Sequence, residues 1–356
     1  MATAAPAALA RPPIPPERVE RELALLARRA AAPRLGRGRV EHVGQYAFVV
    51  RPDVAPGPRI DLLLMALVHG NEPGGLLVLN ALCALLDSGL VAPSISIGMV
   101  ACNVDAARRG VRQVEHDLNR SFGRTDTATA EDRRARELEP MMGAARYCVD
   151  LHQTIEPSHT PFFVFGYEPM RLRFAHAIFP EVPVVTHWGR PFSTTPGGGC
   201  TTDEFIRRQG GVALGIELGQ KGDDVYQVAL GTGVCLRAMA VVAGAVGDGG
   251  ALPALGALGD GLNPLYTWGA VVPYPDTQVT LNPGLANFQQ IEAGQVLGTQ
   301  AGGALLAPSS GRLLFPKYVH SALEPKPPEL YRLLRRTHLG ELGRGDCMHA
   351  PSIRTT

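Results

Sequence analysis

The stretch LVHGNEPGG, residues 67–75, follows directly on the apolar run IDLLLMA (60–66) and opens into GGLLVLNALCALLDSG (74–89). An apolar run of that length is a core strand rather than a surface segment. The leucines and valines after Pro73 recur at helical spacing, and Gly89 marks where that helix ends. The unit is therefore a buried strand, a glycine-rich turn and a helix. Within the turn stand His69 and Glu72, spaced HxxE, two residues that ordinarily sit better in water. Either the turn presents its polar residues to solvent, or it is half of a metal site, and the rest of the chain has to decide.

The alternation continues outward in both directions. Residues 40–50 are β-rich, SISIGMVACN (94–103) reads as another strand, and EDRRARELEPMMGAAR (131–146) as a charged helix interrupted by Pro140. YCVDLH (147–152), PFFVFG (161–166) and VPVVTH (182–187) follow as short strands. VALGIELG (212–219) is apolar on both faces, as a central strand covered by helices is, and residues 223–246 turn helical again. Alternating strands and helices make roughly the first 250 residues an α/β sheet sandwiched by helices. At GDGGALPALGALGDG (247–261) glycine dominates and a linker is expected. Beyond it GAVVPYP, VTLNPGLANFQQI, QVLGTQ and ALLAPSSGRLLFPK are short strands separated by Pro/Gly/Asn turns, with no helical pattern, and predict a small β-domain. The start, MATAAPAALARPPIPPERVE, is rich in alanine and proline. The expected division is a flexible N-terminal extension (1–39), a catalytic domain (40–258), and a C-terminal β-domain with its tail (259–356).

Composition narrows the class. With 356 residues the chain has room for one large domain and a smaller one. Apolar residues at 45% and charged ones at 19% are ordinary for a globular protein. A net charge of +1, from 34 basic and 33 acidic residues, gives no whole-chain attraction to nucleic acid or an acidic membrane. Six cysteines, widely spread and without a CxxC pair, argue for reduced thiols and a cytoplasmic setting. No apolar run approaches the ~20 residues that span a bilayer, and AMAVVAGAVG (238–247) is too short. The N-terminus has no cationic region ahead of an apolar core, so it does not read as a signal peptide.

Three strand ends carry residues that do not belong in a core: His69 with Glu72, His152 at the close of VDLH, and Glu217 inside GIELG. Singly, each has a plain explanation. A histidine at a strand end more often caps or faces water than binds metal, and a buried glutamate can be satisfied by an arginine, since unpaired burial is costly. Together they fit one chemistry. Catalytic zinc commonly takes two histidines and a glutamate and keeps a fourth position open for water, whose pKa falls to roughly 7. An HxxE pair plus a distant histidine supplies that set, and Glu217 is then a carboxylate available to take the proton. In NVDAARRGVRQVEHDLNRSF (103–122), a charged run whose usual fate is a solvated loop, Arg112, Asn119 and Arg120 offer donors for carboxylates and a developing oxyanion.

HGNE, DLNRSF, DLH and GIELG, in this order, resemble the succinylglutamate desuccinylase/aspartoacylase family of zinc-carboxypeptidase-like hydrolases. The resemblance extends over about residues 40–320, because ANFQQIEAGQVLG and APSSGRLLFP are similar to that family's C-terminal β-domain. It implies a zinc-carboxypeptidase-like mixed sheet flanked by helices, with a small C-terminal β-domain. It implies one zinc per chain, with His69, Glu72 and His152 as its ligands and Glu217 as general base. By the same resemblance Arg112 polarises the scissile carbonyl and Asn119 with Arg120 holds a substrate carboxylate. Arg207, with Arg208 beside it, stands where a second carboxylate-binding arginine is expected. The implied reaction is zinc-dependent hydrolysis of a small anionic N-acyl amino acid, N-succinylglutamate first, N-acetylaspartate or another N-acetyl amino acid next. No nucleic acid or membrane partner is expected, and a homo-oligomer is compatible with the sequence. Two rivals share the motifs: a metallocarboxypeptidase acting on peptides, and a non-catalytic zinc- or metabolite-binding protein, for which Glu217 would have no use.

Overall fold

The computed structural model describes residues 14–53, 58–126, 128–187, 198–247, 252, 263–318 and 326–342. In chain order the described elements begin α1 (Pro16–Ala31), β1 (Arg34–Leu35), β2 (Gly38–Gly44), β3 (Ala47–Arg51), β4 (Ile60–Ala66), α2 (Gly74–Asp87), β5 (Ile97–Ala101) and α3 (Val104–Arg108). There follow α4 (Ala130–Gly143), β6 (Ala145–Thr154), β7 (Phe162–Gly166), α5 (Pro169–Ile178), β8 (Val184–His187), α6 (Thr202–Arg208), β9 (Val212–Gln220) and α7 (Val225–Gly247). The chain continues as β10 (Leu265–Pro273), β11 (Val279–Leu281), β12 (Gln290–Ile291), β13 (Val296–Gln300), β14 (Gly303–Leu306), β15 (Gly311–Leu314), β16 (Glu329–Arg336) and α8 (Leu339–Leu342).

The apolar run 60–66 is buried on both sides, as its unbroken hydrophobicity demands. Leu62 and Leu64 face a core shared with Leu23, Leu79 and Val234 from helices α1, α2 and α7. Leu63 and Met65 face the opposite core, with Leu118, Leu138 and Ile206. The result is the expected α/β architecture, a large mixed sheet between layers of helices.

Among the described residues the main sheet runs β1-β2-β3-β5-β4-β6-β9-β7-β8-β10-β16-β15-β12. Its centre is parallel: β5, β4, β6 and β9 all point one way, so their C-terminal ends meet at one edge. The register places Ala66 beside Leu151 and His152 beside Glu217. Open α/β sheets bind ligands at that carboxyl edge. Strands β10, β16, β15 and β12 continue the same sheet, because β10 pairs in parallel with β8. Only β11, β13 and β14 form a separate three-stranded sheet. The described residues from 263 onward thus include seven strands, four of which extend the main sheet. The expected linker, 247–261, falls almost wholly outside the described residues.

Three expectations need correction. The flexible extension expected over 1–39 contains a packed helix: Val19, Leu23, Leu26 and Ala30 of α1 recur every three or four residues and are buried against α2. Buried Asn80 of α2 fastens it, donating to the Glu22 carbonyl and carboxylate (2.9 Å each) and accepting from Arg29 (2.9 Å). The alanine- and proline-rich start hides this period. Pro140 does not interrupt α4, which carries buried Met141 and Met142 beyond it. And the run 238–247 belongs to α7, which by length and composition alone could cross a membrane. Here α7 lies along α2, so close that a Cβ on Gly231 would fall 2.5 Å from Val78.

Leu26→Ala is expected to lower unfolding free energy by about 2–5 kcal/mol, the usual cost of truncating a fully buried leucine. Urea unfolding measures it, and a loss no larger than a surface substitution gives would mean that α1 is not part of the folded core.

Candidate active site

The backbone turns sharply as it leaves β4. Leu67, fully buried, adopts a left-handed conformation (φ 58°), rare for a residue with a Cβ. Its carbonyl is held by the N–H of Asn103 at 2.8 Å. Such strain persists where the surroundings over-determine it, often at functional sites. Gly70 then passes so near α3 that a Cβ would lie 2.3 Å from the Ala107 nitrogen, and a Cβ on Gly74 would strike the Gln153 side chain at 2.5 Å. These glycines let the HGNEPGG turn press His69 and Glu72 against β6.

His69, Glu72 and His152 are all buried at the carboxyl edge, and each imidazole meets one oxygen of the same carboxylate. His69 Nδ1 lies 2.8 Å from Glu72 Oε1, and His152 Nδ1 2.9 Å from Oε2. The Gln153 backbone N–H also donates to Oε2 (3.1 Å). Burial by itself would raise the Glu72 carboxyl, yet the His69 charge and the bonds to both imidazoles outweigh it and hold Glu72 well below the ordinary carboxylate range. Burial would likewise lower His152, but Asp150 and Glu72 drive it well above the usual imidazole value. The pocket's field therefore calls for positive charge.

Two imidazoles and a carboxylate, with candidate ligand atoms all within 4.8 Å of one another, form a donor set that suits a divalent cation such as zinc. One orphan atom agrees with that fit. Glu217 Oε2 is buried and lacks a hydrogen-bond partner among the described residues. Glu217 stands beside His152 in register, and burial pushes its carboxyl up to about 7.

A second row of groups holds the first. His152 Nε2 lies 2.9 Å from Asp150 Oδ2, two residues back on the same face of β6. The Thr202 hydroxyl donates to that oxygen (2.6 Å), and the Thr202 backbone N–H donates to Asn119 Oδ1 (2.9 Å). Asp117 lies 3.3 Å from His69 Nε2, receives Arg112 at 3.0 Å and accepts the Asn119 N–H at 2.9 Å. The loop carrying Arg112 is anchored by buried Glu131, whose carboxylate accepts the N–H groups of Val114, Glu115 and His116. Arg120 follows in a 3-10 turn, within the field of Asp117 and Arg112.

The structure thus brings together seven of the sequence-derived candidates: His69, Glu72, Arg112, Asn119, Arg120, His152 and Glu217. Arg207 is not among them. It sits more than a turn along α6 from Thr202, half-exposed, with its guanidinium bidentate on Glu204 (2.8 and 2.7 Å), and Arg208 grips the same carboxylate. The sequence reading missed Asp150, Asp117 and Thr202. Asp150 carried a usable signal, a carboxylate two residues before a histidine on an otherwise apolar strand. Thr202 carried none, since its role depends on how α6 docks.

A model of the succinylglutamate desuccinylase/aspartoacylase catalytic domain matches residues 58–230, which include all of these positions. A succinylglutamate desuccinylase of Pseudomonas paraeruginosa is 27% identical over 296 residues, covering 78% of this chain and 86% of that protein. The crystal structure of the succinylglutamate desuccinylase from Chromobacterium violaceum is similar with a TM-score of 0.63 at 21% identity, over 88% of this chain and 98% of that one. Murine aminoacylase 3 is similar with a TM-score of 0.53 at 20% identity, over 80% and 98%.

Asp150→Asn removes the charge behind His152 while keeping its shape. It is expected to lower zinc affinity about 10–100-fold, as loss of an orienting carboxylate does. Competition against a chromophoric chelator reads this directly, and an unchanged affinity would strip Asp150 of the role.

Proposed function

We propose that this chain, which belongs to the succinylglutamate desuccinylase/aspartoacylase family, is a zinc-dependent amidohydrolase that removes the acyl group from a small anionic N-acyl amino acid. N-succinylglutamate is the preferred substrate, and N-acetylaspartate or another N-acetyl amino acid the next. The observation that carries the reading is the gathering of His69, Glu72 and His152, with ligand atoms within 4.8 Å of one another, beside Glu217, whose buried Oε2 has no hydrogen-bond partner among the described residues. A binding module has no use for that carboxyl, which speaks against a non-catalytic protein.

Zinc held by His69, Glu72 and His152, one per chain, would supply Lewis acidity toward the amide carbonyl and toward a water. Glu217 accepts the attacking water's proton and returns it to the departing amine; a carboxyl near 7 can do both at neutral pH. Arg112, about a third exposed and steadied by Asp117, points its charge at the developing oxyanion. Asn119, its carbonyl already taken by Thr202, keeps its amide nitrogen to donate, and with Arg120 it receives a substrate carboxylate. The five described cysteines are free and buried, which accords with a reducing cytoplasm.

Glu217→Gln tests the reading. It keeps the side chain's size but cannot take a proton, so zinc should stay while hydrolysis of N-acyl amino acids falls by about 10²–10⁴-fold. Amine release from a panel of N-succinyl and N-acetyl amino acids, with a chelator control, measures it. Near-normal turnover in the variant would remove Glu217 from the mechanism, and cleavage of short peptides in preference to the panel would favour a carboxypeptidase.

A further inference from the structure

Arg207 and Arg208 are both engaged with Glu204, which leaves Asn119 and Arg120 as the proposed carboxylate station among the described residues of the region that the family model covers. The C-terminal strands supply a cation instead. Lys317 follows β15, and its backbone N–H is held by the Leu330 carbonyl of β16 (2.9 Å). Its ammonium stands 5.4 Å from the Phe315 ring centroid. Phe315 in turn lies against Phe162 (centroids 6.0 Å apart), and Phe162 is directly opposite Glu217 across β7 and β9.

This run of neighbours is pinned. Phe315 has a left-handed backbone (φ 49°), and its N–H donates to Asn287 Oδ1 at 2.7 Å. Fully buried Asn287 donates its amide to the carbonyls of Glu156 and Pro157, in the loop that leaves the His152 strand. Lys317 is therefore fixed relative to the candidate zinc ligands through that loop.

Its charge acts on Arg112, Glu217, Glu329 and Arg332. The arginines already have anions: Arg112 has Asp117, and Arg332 has Glu329 at 2.6 and 2.7 Å. Lys317 alone of the three has no ion pair or hydrogen bond from its ammonium to any described residue. A half-buried cation with a ring beside it but no anion among the described residues is costly. Burial, and then the repulsion of Arg112, pulls this ammonium down to about 8. An anion bound there would relieve both.

We propose that Lys317 is the anchor for a second substrate carboxylate, the one that Asn119 and Arg120 do not hold. The inference rests on the proposed reaction, whose substrate is a small polyanion. The second carboxylate belongs either to the acyl group, as in a succinyl chain, or to the side chain of the amino acid.

The test is calorimetric titration of the zinc-loaded full-length protein with succinate, acetate, glutamate and alanine. Parent, Lys317→Met and Lys317→Arg are compared. Lys317→Met should weaken one dicarboxylate about 10–100-fold, the worth of a charge-assisted hydrogen bond, and leave its monocarboxylate partner unchanged. Lys317→Arg should recover most of the loss. A loss on succinate but not acetate places the second carboxylate on the acyl side, and a loss on glutamate but not alanine places it on the amine side. Equal losses on all four ligands, or none, would overturn the proposal. No turnover is needed, so the two readings fail separately. A protein that hydrolyses no N-acyl amino acid but shows the selective loss keeps the subsite and sinks the reaction. Brisk hydrolysis of N-succinylglutamate undiminished in Lys317→Met sinks the subsite alone.

Discussion

The buried carboxylate of Glu72 is the interaction on which the site is built. Removing a carboxylate from water costs several kcal/mol even after relaxation, and the cost is met only with partners on every side. Here they are two imidazoles and a backbone N–H, from the turn after β4 and from β6, with the Arg112 guanidinium 3.5 Å from Oε1. That requirement ties the left-handed Leu67, the narrow glycines and the start of α2 to one geometry. It also explains why such a polar cluster can occupy the end of an otherwise apolar sheet. Arg112 offsets part of the negative field of Glu72, Asp117 and Asp150, and the divalent cation proposed for the site would offset more.

The supporting groups link two functions that could have been independent. Thr202 offers its hydroxyl to Asp150, behind His152, and its backbone N–H to Asn119, beside Arg120. Asp117 likewise touches His69 on one side and Arg112 on the other. The groups proposed to hold metal and those proposed to hold substrate therefore share two fasteners. A disturbance of α6 or of the DLNR turn would reach both at once, and effects of changes there should not add independently.

Much of this was legible in the sequence because it depends on local pattern. The central strands announce themselves by unbroken apolar runs, and the strand ends by the histidines and carboxylates that interrupt them. Asp150 was within reach of the same logic through the two-residue period of a strand. Arg207 failed for a different reason. Its spacing from Glu217 says nothing about which way α6 faces, and Glu204, one turn back, captures it. The proposed role of Lys317 had no sequence signal, because the lysine is held against β16 through Leu330 and meets the ring of Phe315, and neither contact has a local motif. The helix α1 was hidden by composition, although its period of buried residues was present throughout.

The C-terminal strands bear on the chemistry through Glu217. Register pairing puts His152 on one side of this residue and Phe162 on the other. A slip of one residue in β9 would turn the carboxyl to the opposite face of the sheet. Phe162 is fully buried, and what buries it are the rings of Phe288 (4.9 Å) and Phe315 (6.0 Å), both from the segment after residue 263. The apolar wall beside Glu217 is thus completed by the β-rich end of the chain. Desolvation is the largest cause of its raised carboxyl, so this wall helps to set the proton affinity on which the proposed role of Glu217 as base depends. The C-terminal strands continue the sheet and dry one side of the carboxyl, and they bear the lysine proposed to meet a second substrate carboxylate.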